Sequence, residues 1–327
     1  MQTFQTVTMI KIAQNSAGQR LDNFLFKTLK GVPKSRVYRL IRKKEIRVNR
    51  SRATASTKLS LGDEVRLPPI TLNPKKEQFA DPSLNLERLI IFENDELMVV
   101  NKPAGLAVHG GSSVKFGLIE SLRASRKNER SKERLELIHR LDKDTSGGLM
   151  ISKKRSHLVF LQNLLRKPGS IKKRYTALVH GNWPDGLTDI DQPLKTFSNQ
   201  GRERWTKVSE SGKNAKTTFR KLFGTEDFSL IEAFPKTGRT HQIRVHTLWA
   251  RHPIVGDVRY GDKFKEVVMG LNLRLMLHAT QISIPENTLV GKLDIECPLP
   301  AEFAMTIGST IKRSKNNKVE SVSEQKS

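Results

Sequence analysis

Ten consecutive residues, His139-Arg140-Leu141-Asp142-Lys143-Asp144-Thr145-Ser146-Gly147-Gly148, bring together a histidine, two carboxylates, two cations and two hydroxyls. A carboxylate in such a loop, kept ionised by a nearby cation, can serve as a nucleophile or a base without a metal. Carboxylate nucleophiles are familiar at the anomeric carbon of glycosides. The cation is available in a second polar cluster, Lys236-Thr-Gly-Arg-Thr-His-Gln-Ile-Arg-Val-His246, where Arg239, His241 and Arg244 lie close together. The rival reading of the first cluster is a plain turn, because Asp, Thr, Ser and Gly all favour turns. An aspartic-protease dyad would need a second Asp-Thr-Gly or Asp-Ser-Gly, and a kinase loop would need Asp-Phe-Gly and a glycine-rich loop. The sequence has none of these.

The loop must be held by its flanks. Apolar runs at 135–138 and 149–151 read as short strands, which places the polar decade on a rigid scaffold. Further runs at 89–92 and 97–100, separated by Glu93-Asn-Asp-Glu96, read as strand, turn, strand, and Lys102-Pro-Ala-Gly105 forces a turn. The pattern predicts helices over 116–122 and 157–165, and strands over 171–179 and 215–222. A charged hairpin is expected at 202–208. For the second polar cluster helix and strand both remain open; Thr240 would cap the helix, whose inner face would be Ile243, Thr247 and Ala250. His109, alone beside glycines, reads as structural. Residues 123–134 form a charged connector.

The 327 residues suffice for a full core and for two domains. Lys and Arg number 58 against 33 Asp and Glu, a net charge of +25. That surplus exceeds what solubility needs and points to a polyanionic partner, whose phosphates release counterions on binding. A single cysteine, Cys297, excludes an internal disulfide and a cysteine-rich zinc site, so a reducing compartment is expected. No signal-like start and no run of about 18 apolar residues occurs, which implies a cytoplasmic protein with no membrane partner. His-Glu-x-x-His and a phosphate-binding Gly-x-x-x-x-Gly-Lys loop are missing, so no metal site is indicated.

Residues 1–80 hold 17 basic and 5 acidic side chains, a surplus of 12. Leu21, Phe24, Leu25 and Leu29 recur at helical spacing, and Val37, Leu40 and Ile41 do so again behind a possible Ser35 cap. Alternation at 46–49 and around Gly62-Asp63 reads as a small sheet. Lys34, Arg36, Arg39, Lys43 and Arg47 are the nucleic-acid-binding candidates; Arg36, Arg39 and Lys43 are expected on one helix face. A solvated outer face is the bland alternative, but such faces usually mix signs. The block lacks an aromatic platform, so it should recognise nucleic acid by shape and phosphate. A Pro- and Lys-rich linker follows. The expected division is a tail at 1–16, a basic nucleic-acid-binding domain at 17–70, the linker at 71–85, a larger domain at 86–311 that holds both polar clusters, and a disordered tail at 312–327.

Ala17-Gly-Gln-Arg-Leu-Asp-Asn-Phe-Leu25, Lys30-Gly-Val-Pro-Lys-Ser35, Val48-Asn49 and Gly62-Asp-Glu-Val65 resemble the alpha-L RNA-binding domain of a small-subunit ribosomal protein and several RNA-modifying enzymes. His139-Arg-Leu-Asp142 with Thr145-Ser-Gly147, Arg174-Tyr175, Gly238-Arg-Thr-His-Gln-Ile-Arg244 and residues 275–279 resemble the ordered motifs of the RluA-type pseudouridine synthases. The resemblance spans about residues 17–305. It implies an α+β fold, a mixed and largely antiparallel sheet flanked by helices. It also implies isomerisation of uridine to pseudouridine with no cofactor. By matching position, Asp142 is the catalytic aspartate, Tyr175 stacks on the target base and is placed for proton transfer, and Arg244 pairs with the aspartate. Leu277 belongs to an apolar wall of the pocket, and His139, Arg140 and Arg239 are substrate-binding candidates, Arg140 gripping a phosphate or holding the helix open. Gly148 stands where the family commonly has a larger apolar residue. Gly31-Val-Pro-Lys-Ser35, Gly105-Leu-Ala-Val-His-Gly-Gly111 and residues 238–247 look most like members acting on large-subunit ribosomal RNA. Transfer RNA, another ribosomal site, or a non-catalytic role in ribosome assembly are the alternatives. A monomer is the expected state.

Overall fold

A computed structural model describes residues 6–29, 32, 34–70, 86–110, 116–126, 135–167, 169–199, 203–262, 266–267, 273–287 and 289–309. The expected linker at 71–85 and the expected C-terminal tail at 312–327 lie outside the described residues. The chain divides into two compact units, Met1–Phe79 and Ala80–Ser327.

In the first unit β1 (Thr8–Lys11) precedes α1 (Leu21–Thr28) and α2 (Lys34–Arg42), followed by β2 (Arg47–Val48), β3 (Ser51–Arg52) and β4 (Glu64–Leu67). Leu21, Phe24, Leu25 and Leu29 fall at helical spacing and are buried against Val37, Leu40 and Ile41 of α2 and Val65 and Leu67 of β4. The sheet order is β1-β4-β2-β3, all antiparallel. The expectation of a tail at 1–16 is therefore corrected. Thr8–Lys11 pairs with β4, Thr8 opposite Leu67 and Lys11 opposite Glu64, and Ile12 is buried in the same core. α2 begins ahead of Ser35, which lies inside the helix rather than capping it. Lys43 lies just past the last turn, its N–H still bonded to Arg39 O.

The second unit contains β5 (Ile90–Glu93), β6 (Leu97–Lys102), α3 (Leu118–Ser125), β7 (Glu136–Leu137), β8 (Ser146–Ser152), α4 (Arg155–Arg166) and β9 (Lys172–His180). After them come β10 (Asp189–Asp191), β11 (Leu194–Asn199), β12 (Glu203–Val208), β13 (Lys216–Gly224), β14 (Phe228–Pro235), α5 (Gln242–Trp249), β15 (Leu277–Ile284) and β16 (Leu293–Glu296). The main sheet runs β10-β13-β14-β9-β15-β8-β6-β5, with β16 on β15 and β7 on β8; β11 and β12 form a separate hairpin. Among the described strands only β8 and β15 pair in parallel. This is the mixed, largely antiparallel α+β architecture.

Alternation sorts the core onto two faces, since successive strand residues point to opposite sides. Met98, Val100, Leu149 and Ile151 pack with Leu118 and Leu122 of α3, whereas Leu97, Val99 and Met150 pack with Leu158 and Leu161 of α4. Every residue of β8 is buried, so the strand is central and covered on both faces. Gly147 takes φ +107°, and a Cβ there would collide with the backbone of Ala279, its partner on β15. At Gly148 the space of a larger side chain is occupied by Cys297 Sγ, which would lie 2.7 Å from a Cβ, and Ile282 Cδ1, 2.9 Å from it.

The second polar cluster becomes helical from Gln242. Its cap is His241, held at φ 54° and ψ 24°, rather than Thr240. Residues 242–247 are all buried, so the helix has no single inner face. It ends where Arg251 takes φ 66° and His252 N–H reaches back to Thr247 O, just before Pro253.

Candidate active site

The chemistry-bearing loop enters β8, and Lys102 and His139 fix it on either side of Asp142. His139 Nε2 accepts the Met150 N–H at 3.1 Å, tying the ring to the strand. Burial pulls its pKa down to about 3, so the imidazole stays neutral and keeps that acceptor free of a proton. Lys102, wholly buried, donates from Nζ to Lys143 O (2.9 Å), Leu106 O (2.9 Å) and Pro103 O (2.8 Å). Three donors meet three carbonyls, and one of these belongs to the residue following Asp142.

Arg244, the third residue of α5, joins this loop to a second carboxylate. Its Nε and Nη2 donate to Asp257 Oδ2 and Oδ1, each at 2.7 Å, and its Nη1 donates to Asp142 Oδ2 at 3.2 Å. The Asp257 side chain is 0% exposed, that of Arg244 6%, and that of Asp142 22%. Burial alone would push the guanidinium pKa down; the hydrogen bonds and charge of Asp257, and then Asp142, carry it above its ordinary value. Burial likewise works to raise the Asp257 pKa, but Arg244 and the N–H groups of Tyr260 and Arg259 bring it below the usual range. A planar fork clamped on one carboxylate presents its remaining N–H in a set direction. The expected pairing of Asp142 with Arg244, 102 residues apart, is present.

Asp142, Tyr175, Arg244 and Leu277 line one cleft of about 130 Å³ together with Arg140, Lys173 and the turn 237–241. Tyr175 on β9 sits opposite Ala279, and Leu277 opens β15, so the two walls come from neighbouring strands. Burial first, and then the charge of Asp142, push the Tyr175 phenol pKa up, which keeps it protonated near neutrality. Arg140 and Arg239 are exposed at the rim, and Arg239 Nε donates to Asn214 O at 2.9 Å. Gln242 Oε1 locks the turn by accepting from Thr237 Oγ1 (2.7 Å) and Arg239 N (3.0 Å). His139 does not line this cleft. It borders an adjacent groove with Arg166, Lys167, Lys173, Lys236 and Arg239.

Two neighbours of the cleft were not singled out by sequence reasoning. Asp257 falls in a stretch, 253–261, that reads as part of the core, and only tertiary structure brings it under Arg244. Tyr260 reads as core; its hydroxyl accepts the Thr206 N–H at 2.8 Å and lies 2.7 Å from His241 Nδ1. In the first unit, Arg36, Arg39, Lys43 and Arg47 are all exposed, Arg36 and Arg39 on α2 and Arg47 on β2. Lys34 opens α2.

Residues 96–249 match the RNA pseudouridylate synthase family, and residues 19–65 match the S4 domain. Ribosomal large subunit pseudouridine synthase C of Pasteurella multocida (strain Pm70) is 44% identical over 319 residues, 96% of this chain and 97% of that protein. Its namesake in Escherichia coli (strain K12) is 45% identical over 303 residues, 90% and 93% of the two chains. The chain belongs to the RluA-type pseudouridine synthases. These are RNA isomerases. Among solved structures, human RNA pseudouridylate synthase domain containing 4 superposes with a TM-score of 0.55 at 28% identity, covering 67% of this chain and 91% of that one. Human RNA pseudouridylate synthase domain containing 1 gives 0.54 at 26%, covering 68% and 87%.

Proposed function

We propose that this pseudouridine synthase isomerises specific uridines of large-subunit ribosomal RNA, with Asp142, Tyr175 and Arg244 as its catalytic residues. The observation that carries the reading is Arg244, forked on buried Asp257 and extended to Asp142 in a cleft walled by Tyr175 and Leu277. Support for the ribosomal target is the similarity, at 44–45% identity over nine-tenths or more of the chain, to proteins called ribosomal large subunit pseudouridine synthase C.

In this reading the target uridine leaves its stack, at a cost of a few kcal/mol, and enters the cleft between Tyr175 and Leu277. Asp142, paired with Arg244, acts on the ribose or the uracil ring. The N1–C1′ bond breaks, the uracil turns, and C5 bonds to C1′; the C5 proton leaves to solvent and N1 is protonated, so the product is an isomer. A protonated Tyr175 suits stacking and proton donation rather than service as a resting base. Arg140, exposed beside Asp142, grips the flanking phosphate or fills the gap left in the helix. Arg239 faces the same strand. No cofactor takes part. The first unit, with Lys34, Arg36, Arg39, Lys43 and Arg47, anchors the RNA, and the second carries the chemistry. The protein acts in the cytoplasm as a monomer; no helix among the described residues is long and apolar enough to cross a membrane.

The test is pseudouridine mapping by carbodiimide adducts and primer extension on unmodified large-subunit ribosomal RNA. New stops with wild type and none with Asp142→Asn are expected. Stops only on transfer RNA, or none on any RNA despite salt-sensitive binding, would overturn the proposed target or the proposed activity.

A further inference from the structure

His241 occupies a left-handed backbone conformation at the cap of α5, which non-glycine residues adopt at a cost and which clusters at functional sites. That conformation turns its ring toward the cleft, where Nε2 lies 3.8 Å from Asp142 Oδ2. On the other side of the ring, Nδ1 lies 2.7 Å from Tyr260 Oη. The Tyr260 oxygen already accepts the Thr206 N–H at 2.8 Å, and Thr206 is 1% exposed. A phenol has a single proton to give. With the backbone N–H filling its acceptor side, that proton is directed at His241 Nδ1. The imidazole then carries its own proton on Nε2, facing the carboxylate.

We propose that His241 is a positioning residue for Asp142, presenting a neutral Nε2–H to Oδ2 in the tautomer that Tyr260 fixes. The inference rests on the reading of Asp142 as the reacting carboxylate. Arg244 and His241 converge on the same oxygen, and among the described residues Oδ1 makes no hydrogen bond. Two donors from different directions fix the carboxylate plane, which one donor cannot do, and leave Oδ1 for the substrate. At 3.8 Å the His241 interaction is still electrostatic, and it shortens to a hydrogen bond when the target base displaces water from the cleft. Burial lowers the imidazole pKa; the charges of Arg244 and Arg259 act in the same sense, while those of Asp142 and Asp257 oppose it. The ring is neutral at pH 7 and acts as a donor, not as a second base.

Two readouts test this on the full-length protein. The first is long-range proton–nitrogen NMR of the protein labelled at its 8 histidines, the His241 signal being assigned by its loss in His241→Gln. An Nε2–H tautomer is expected in wild type at pH 7, with the Nδ1–H form gaining in Tyr260→Phe. The second is turnover on RNA at saturation. His241→Phe should lower kcat by about ten- to a hundredfold, the range for losing a hydrogen bond to a charged group, with RNA affinity within about twofold of wild type. His241→Gln, whose Nε2–H can reach the same oxygen, should recover most of that loss, and Tyr260→Phe should fall between. An Nδ1–H or doubly protonated ring in wild type, equal losses in His241→Phe and His241→Gln, or no loss in either would overturn the proposal. Asp142→Asn run in parallel separates the two ideas. Activity in that variant would remove the reading of Asp142, whereas the tautomer measurement stands or falls without any turnover.

Discussion

Asp257→Asn tests the architecture beneath the reacting carboxylate. Asp257 receives two 2.7 Å bonds from Arg244 and the backbone N–H groups of Arg259 and Tyr260, each at 3.0 Å, with its side chain wholly buried. The amide preserves shape but turns one acceptor into a donor facing the guanidinium, and it leaves a buried cation whose other partner, at 3.2 Å, is Asp142. Removing one member of a buried pair destabilises by about 3–5 kcal/mol. At about 2–4 °C per kcal/mol for a domain of this size, the midpoint should fall by roughly 6–20 °C. Trp183, Trp205 and Trp249, all the tryptophans of the chain, lie in the second unit, so tryptophan fluorescence reports its melting. Loss of a directed charge-assisted bond to Asp142, about 1.5–3 kcal/mol, should also lower turnover by about ten- to a hundredfold. The pH dependence has a defined sign. Asp257 has a depressed pKa in the folded state, so its contribution is present above the ordinary carboxylate value and is lost as pH falls through the folded one. The stability gap between wild type and variant should therefore be full at pH 7 and shrink below about pH 4. A variant melting within about 2 °C of wild type at pH 7, or turning over at the wild-type rate, would refute the reasoning.

Three further outcomes are expected. Arg140→Ala should slow turnover on folded RNA by about tenfold, ~1.4 kcal/mol of the cost of unstacking, while sparing an unstructured uridine oligonucleotide; equal turnover on folded RNA would exclude the role proposed for Arg140. Neutralising Arg36, Arg39 and Lys43 together should flatten the logarithmic salt dependence of binding by about 2–3, near 0.7–0.9 for each phosphate lost, with saturated turnover unchanged. An unaltered slope would place the RNA footprint elsewhere. Gly147→Ala should destabilise by about 1–3 kcal/mol or more, because its φ of +107° is strained for alanine and its Cβ would meet Ala279 backbone; a wild-type melt would contradict that contact.

Much of the fold was legible because its elements advertise themselves locally. Leu21, Phe24, Leu25 and Leu29 carry the helical period of α1, and the Leu97-Met-Val-Val100 run became β6, buried on both faces. β1 was missed because four alternating residues mean nothing without β4, more than fifty positions away, to pair with. The α5 segment could not be assigned by period, since residues 242–247 are buried on every side. At the site, Asp142, Tyr175, Arg244 and Leu277 came from motif resemblance, and the cleft brings all four together. Asp257 and Lys102 stayed hidden, for burial under Arg244 and beneath the 139–146 loop is a tertiary property, and Pro103 disguises Lys102 as turn chemistry. His139 stands three residues from Asp142, but that its Nε2 accepts the Met150 N–H could not be read from the sequence.

Release of tritium from large-subunit ribosomal RNA labelled at uridine C5 tests the central claim most directly, because forming the C5–C1′ bond must expel that hydrogen. Wild type should release tritium to a plateau equal to its number of target uridines. Asp142→Asn, with unchanged RNA affinity and unchanged melting, should release none above background. Release by that variant at a rate near wild type would contradict the account.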